Sequence, residues 1–237
     1  MTWSIVARDP ATGAFGVAVA TRFFAVGALC PHGEGGIGAL CTQALINPTF
    51  GPRGIRLLRE GVAAQMVVDA LIASDPGRAA RQLHVQDCAG RIAAYTGADC
   101  VPWCGHALHA GFSVAGNMLA GPEVIAETAR AYEAAGELPF PRRLIAALKA
   151  GEAAGGDKRG KQSAALRIFT TEEYPALDLR VDDHPDPLAE LARLEAVSRE
   201  RFVHFAKFFA TRNSPGGVWD RAVIEAEIAR ASSEPAR

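Results

Sequence analysis

Thr2 stands directly behind Met1. The initiator Met is normally trimmed when the next side chain is small, and Thr is small. The trimmed chain would carry a hydroxyl and a free α-amine on one residue. That pairing activates a weak nucleophile, with the terminal amine as base. An α-amine titrates at about 7.7–8.0, so a usable share is unprotonated near neutral pH. Thr is also an ordinary second residue, so the pattern around it must carry the inference.

Other side chains that could do chemistry stand where apolar runs or Gly-rich loops end. Gln43, Asn47 and Asn117 are uncharged amides after apolar stretches. Each could donate to an oxyanion or read a substrate amide, or serve only as a turn or cap residue. Arg22 could hold a carboxylate through its two-pronged guanidinium, or form a surface ion pair. Gly155–Ser163 is a loop whose glycines let backbone N–H groups approach a ligand, and it carries Asp157, Arg159 and Ser163. It lacks the Gly-Lys-Ser/Thr ending of a phosphate loop. We expect Arg22, Asn47, Asn117 and Arg159 to share a cleft around Thr2. Cys100, Cys104, His106 and His109 lack structural-zinc spacing, so the expectation is no metal and no cofactor.

The elements that must position these residues follow from pattern. Trp3, Ile5 and Ala7 fall on one strand face, with Thr2, Ser4 and Val6 on the other. Asp9-Pro10-Ala11-Thr12-Gly13 is a turn. Phe15–Ala20 and Ile37–Ala44 read as buried strands, apolar or small on both faces. Pro31–Gly36 reads as a loop by its glycines. Two helices follow over Gly51–Gly61 and Gln65–Ala73, then a hairpin over Ala80–Val85 and Arg91–Tyr95. Gly111–Ala115 is one more strand. Helices from Gly121 and Pro141, late strands Ser163–Thr170 and Ala176–Val181, and helical stretches Pro185–Arg199, Glu200–Thr211 and Val218–Ala231 complete the chain. Strands, helix pair, strands, helix pair fits two antiparallel sheets face to face with helices outside.

Specific stretches carry a resemblance. Thr2-Trp3-Ser4-Ile5-Val6-Ala7-Arg8-Asp9, a Gly turn and Gly16-Val17-Ala18-Val19-Ala20-Thr21-Arg22 look like the opening of N-terminal-nucleophile hydrolases. Ala44–Pro48 with Gly51–Gly54, Tyr95–Cys100, Gly116–Gly121, Gly155–Ser163 and Leu179–His184 extend the likeness. Together they resemble the bacterial domain-of-unknown-function family 1028, grouped by fold with those hydrolases. The resemblance, which covers roughly residues 2–190, implies an α+β, four-layer αββα sandwich over residues 1–184; the helical stretches that follow read as an extension over 185–237 packed on the same domain. It implies cleavage of an amide or peptide-like bond, with Asp157 and Ser163 hydrogen-bonding the terminal amine. Proteasome-like members place a Lys on an early strand, whereas this chain has none before Lys149, so Arg22 takes that place or binds substrate.

The bulk properties exclude several classes. The chain has 237 residues, 49% hydrophobic and 22% charged, with formal net charge −1. That balance gives no footprint for nucleic acid or an anionic membrane. No apolar run is long enough to span a bilayer and no signal peptide is visible. The five cysteines then read as reduced thiols in cytoplasm. The expected partner is a small-molecule substrate. Oligomeric state stays open, a homo-oligomer included. The alternative to a hydrolase is a non-catalytic small-molecule binding protein on the same fold.

Overall fold

The structure, a computed structural model, describes residues 2–233. Met1 and its expected removal lie outside the described residues. One compact unit ends at Leu191 and a second begins at Ala192.

The first unit starts as a hairpin of β1 (Thr2–Arg8) and β2 (Phe15–Thr21), paired antiparallel with Thr2 opposite Thr21. The turn between them is held as its residue types require. Asp9 accepts from the Ala11 amide and the Thr12 hydroxyl, and Gly13 takes φ 75°. β3 (Pro31–Glu34), β4 (Gly38–Ala44), β5 (Arg81–Asp87) and β6 (Ile92–Thr96) follow, then β7 (Gly105–His109), β8 (Phe112–Asn117), β9 (Ser163–Phe169) and β10 (Leu177–Val181). They form two antiparallel sheets. One has the order β10-β9-β2-β1-β8-β7 and the other β3-β4-β5-β6.

Helices α1 (Phe50–Arg59) and α2 (Ala64–Ala73) pack on the four-stranded sheet. Helices α3 (Glu123–Ala134) and α4 (Phe140–Ala153) pack on the six-stranded one, and the two sheets touch through β1, β2, β7, β8 and β9 of the one and β3, β4, β5 and β6 of the other. The alternation in β1 decides which residue meets which layer. Trp3 lies against Gly151 of α4, while Ser4 reaches Gln43 and His84 across the sheet interface. Phe15, Val17 and Val19 of β2 meet Val26, Ala39, Cys41, Ala165 and Phe169 in an apolar cluster. Leu40, Leu83 and Val85 meet Phe50, Val67 and Leu71 beneath α1 and α2. Burying each such side chain is worth about 1.5–3 kcal/mol before chain entropy is counted.

Two strands escape the sequence pattern. Pro31–Gly36, read as a loop, contains β3. It is an edge strand, where Pro31 costs no ladder bond, and Gly33 leaves room for the Phe169 ring. β7 is the other, a short edge strand with alternate residues exposed.

The chain passes through α5 (Pro187–Ser198) into the second unit, which holds α6 (Phe202–Phe205) and α7 (Arg221–Ser233). The expected helix over Glu200–Thr211 shrinks to four residues and a 3₁₀ turn, Ala206–Phe208. Phe209 packs edge-on against Phe202 and Phe205 and leaves helical geometry at ψ 153°. Arg201 pairs with Glu225 at 2.6 Å across this unit. The described residues thus form a mixed α+β structure with two antiparallel sheets and seven α-helices. None of those helices is long and apolar enough to cross a membrane.

Candidate functional site

Thr2 heads β1 between two neighbours, Thr21 of β2 and Asn117 of β8. It is buried, and its Oγ1 lies 3.1 Å from Thr21 Oγ1. Both hydroxyls line a cavity of about 160 Å³. Phe23, Val26, Leu29, Cys30, Leu45 and Ile46 form its apolar walls, and Gln43 and Arg159 add polar groups. Sequence reasoning therefore named three residues that the structure brings to one pocket: Thr2, Gln43 and Arg159.

The backbone around this pocket is strained. Among the described residues, the non-glycine residues with positive φ are Ala25 (53°), Ala44 (69°) and Met118 (55°). Ala25 precedes the wall residue Val26, Ala44 is itself a wall, and Met118 follows Asn117. Left-handed geometry costs a residue with a Cβ about 1–2 kcal/mol. Such strain persists where the surrounding structure enforces it, and it gathers at functional sites.

The Gly155–Ser163 loop reaches this end of the sheet. Asp157, with no side-chain exposure, accepts from the backbone N–H of Arg22 at 2.8 Å and of Arg159 at 2.8 Å. The Arg159 guanidinium makes only long contacts to it, 3.3 and 3.4 Å. Ser163 donates to the Phe23 carbonyl at 2.5 Å and accepts from the Val26 N–H at 3.1 Å, so it shapes the pocket wall. Arg22 is exposed and donates to the Lys161 carbonyl at 3.0 Å.

Asn47 turns elsewhere. It donates to Asp75 at 3.0 Å and accepts from the backbone and hydroxyl of Thr49. Arg81 closes the same brace, 2.9 Å from Asp75 and bonded to the Leu45 carbonyl. The Arg81 and Asn47 hydrogen bonds hold the Asp75 carboxyl down at about 2. This brace fixes the Leu45–Asn47 loop, part of the pocket wall.

Gln43 and Asn117 enter a polar network that the sequence reading did not single out. Gln82 Nε2 faces the carbonyls of Gly105 (3.0 Å) and Gly116 (2.9 Å) and the Thr96 hydroxyl (2.8 Å). An amide oxygen there would be repelled, so the Gln82 orientation is fixed. Its Oε1 must then accept, from Gln43 Nε2 at 2.8 Å and Asn117 Nδ2 at 3.0 Å. Gln43 Oε1 in turn accepts the Ser4 hydroxyl at 2.6 Å. With its proton committed, Ser4 accepts from His84 Nε2 at 2.9 Å, which leaves His84 Nδ1 to accept from Ser113 at 2.8 Å. Two backbone carbonyls thus set the direction of six side chains. The available signal was the alternation Gln82, His84, Gln86 along one strand face, which a second sheet then buries.

The Cys and His residues near position 100 go separate ways. Cys100 donates to the Arg81 carbonyl and Cys104 to that of Cys100. His106 bonds Thr96, and His109 stacks on Phe112 beside Glu133. At the pocket, the hydrogen bond it donates to Cys41 and burial push the Cys30 thiol well up, so it is not primed as a nucleophile.

Comparisons with known proteins agree with this architecture. A crystal structure of protein SPO2555 from Silicibacter pomeroyi, described as DUF1028, is similar at 33% identity and a TM-score of 0.85, covering 93% of this chain and 96% of that one. No curated protein matches the chain. The model of the "Family of unknown function (DUF1028)" matches residues 2–191, the unit that contains the pocket, and the chain belongs to that family.

Proposed function

We propose that the pocket is the active site of an N-terminal-nucleophile hydrolase that cleaves an amide or peptide-like bond in a small molecule. The observation that carries this reading is Thr2 itself: a hydroxyl on the first residue of a central strand, held by Thr21, opening into a strained cavity. Two face-to-face antiparallel sheets between helix pairs support placing the fold with such hydrolases.

In this mechanism loss of Met1 frees the Thr2 amine. Thr2 Oγ1 attacks the substrate carbonyl carbon, and its proton passes to that amine. The tetrahedral oxyanion takes a hydrogen bond from Gln43, whose first amide proton goes to Gln82 and whose second has no acceptor among the described residues. The C–N bond breaks as the amine returns its proton to the leaving nitrogen. Water then attacks the Thr2 ester, giving its proton by way of the amine to Oγ1 and releasing the acid. Asp157 and Ser163 hold the loops that frame the site rather than presenting free groups to the amine. That observation also favours a second reading, a small-molecule binding protein without turnover.

A panel of activated amides and small peptides separates the two. Thr2→Ala should abolish turnover while keeping the fold, and Thr2→Ser should retain part of it. Residues added before Thr2 should block it, because an amide nitrogen has no basic lone pair. Turnover should rise with pH through about 7.7–8.0 as the amine deprotonates. Full turnover by Thr2→Ala would end the hydrolase reading.

A further inference from the structure

We infer that the pocket takes a small carboxylate-bearing amide with one bulky apolar side chain; this rests on the pocket being the ligand site. Its volume, about 160 Å³, is below the roughly 300–1,000 Å³ of sites for drug-sized ligands. One leucine- or phenylalanine-sized group fills it. The walls around that group are Phe23, Val26, Leu29, Leu45 and Ile46, and the lining holds no acidic side chain among the described residues.

Arg159 supplies the charge selection. Asp157 draws its short hydrogen bonds from backbone N–H groups, and the guanidinium contacts are 3.3 Å or longer. A guanidinium has five N–H donors. Arg159 can therefore engage a ligand carboxylate with two of them while Asp157 stays satisfied. Its side chain is 40% exposed, in reach of solvent at the pocket mouth. Arg22 does not line the cavity and is already bonded to Lys161. The chain thus has an apolar slot and a planar, forked cation at one mouth, beside the Thr2 hydroxyl.

The test is calorimetric binding to full-length Thr2→Ala protein, which removes turnover from the measurement. N-acetylleucine should bind about tenfold or more tightly than N-acetylleucinamide, which lacks the carboxylate, and than N-acetylglycine, which lacks the apolar group. Arg159→Ala should erase the advantage over the amide, and Arg159→Lys should restore only part of it because a point charge replaces the fork. Leu29→Trp should narrow the slot and erase the advantage over N-acetylglycine. Equal binding of all three, or binding of none, overturns the inference. Turnover of neutral activated amides by the wild-type protein in that case would leave the hydrolase standing, whereas selective binding without any turnover would sink the hydrolase and keep the ligand class.

Discussion

The space between the two sheets has two halves of opposite chemistry. Under β2, β3 and β9 it is apolar, with Phe15, Val17, Val19, Ala39 and Phe169 fully or nearly fully buried. Under β1, β5 and β8 it is polar, with Ser4, Gln82, His84, Gln86, Ser113 and Asn117 equally buried. The apolar half stabilises without direction, since burial energy scales with area. The polar half adds little net stability, because its hydrogen bonds replace bonds to water. What it adds is orientation. Gln82 takes its bearing from the Gly105 and Gly116 carbonyls and passes it to Gln43, a wall of the Thr2 pocket. One half holds the sheets together, and the other aims an amide.

The largest effect expected from this division is on stability in the apolar half. Phe15→Ala should cost about 3–5 kcal/mol in urea denaturation while leaving ligand binding by the folded protein unchanged. A loss of binding at full folding would break the division. Gln82→Leu comes next. It orphans amide donors on Gln43 and Asn117, at about 1–3 kcal/mol for each buried group left unpaired, and it should weaken binding as well. The double replacement Gln43→Leu with Gln82→Leu should recover part of the stability and none of the binding. A stability loss that simply adds would show that the two amides are not coupled.

The smallest effect concerns the brace beneath the Leu45–Asn47 wall. The folded Asp75 carboxyl titrates at about 2, below its ordinary 3.8, with Arg81 and Asn47 as the leading causes. A depressed folded value stabilises above the unfolded one, so this contribution is full above about pH 4. It is lost as pH falls towards 2. Asp75→Asn should remove that acid-sensitive step from a denaturation series between pH 5 and 2. An unchanged acid profile would place the sensitivity elsewhere.

How far the sequence led depends on whether a residue's partners lie close in the pattern. The β1–β2 hairpin was legible because its alternation and its Asp-Pro…Gly turn are local signals. β3 and β7 were not, since each is a short edge strand rich in Gly or His whose pairing is decided by the neighbouring strand. Thr2, Gln43 and Arg159 could be named from type and position, and they do line one pocket. Asn47 and Ser163 share that appearance, yet their bonds go to Asp75 and to the Phe23–Val26 loop. Nothing local distinguishes a loop amide that braces a wall from one that faces a ligand. Gln82 and His84 went unremarked for a related reason. A polar strand face normally meets water, and only the second sheet turns this one into an interior network.

The central claim is that the Thr2 hydroxyl is a nucleophile once its amine is free. A β-lactone bearing an isobutyl group tests it without knowledge of the substrate, because ring opening by a nucleophilic hydroxyl leaves the whole probe attached as an ester. Intact and tandem mass spectrometry of the treated protein should find one adduct of the lactone's mass, on Thr2, in chains that lack Met1. It should find none in Thr2→Ala protein or in chains that retain an N-terminal extension. An adduct that persists in Thr2→Ala, or no adduct on a free Thr2, would contradict the account.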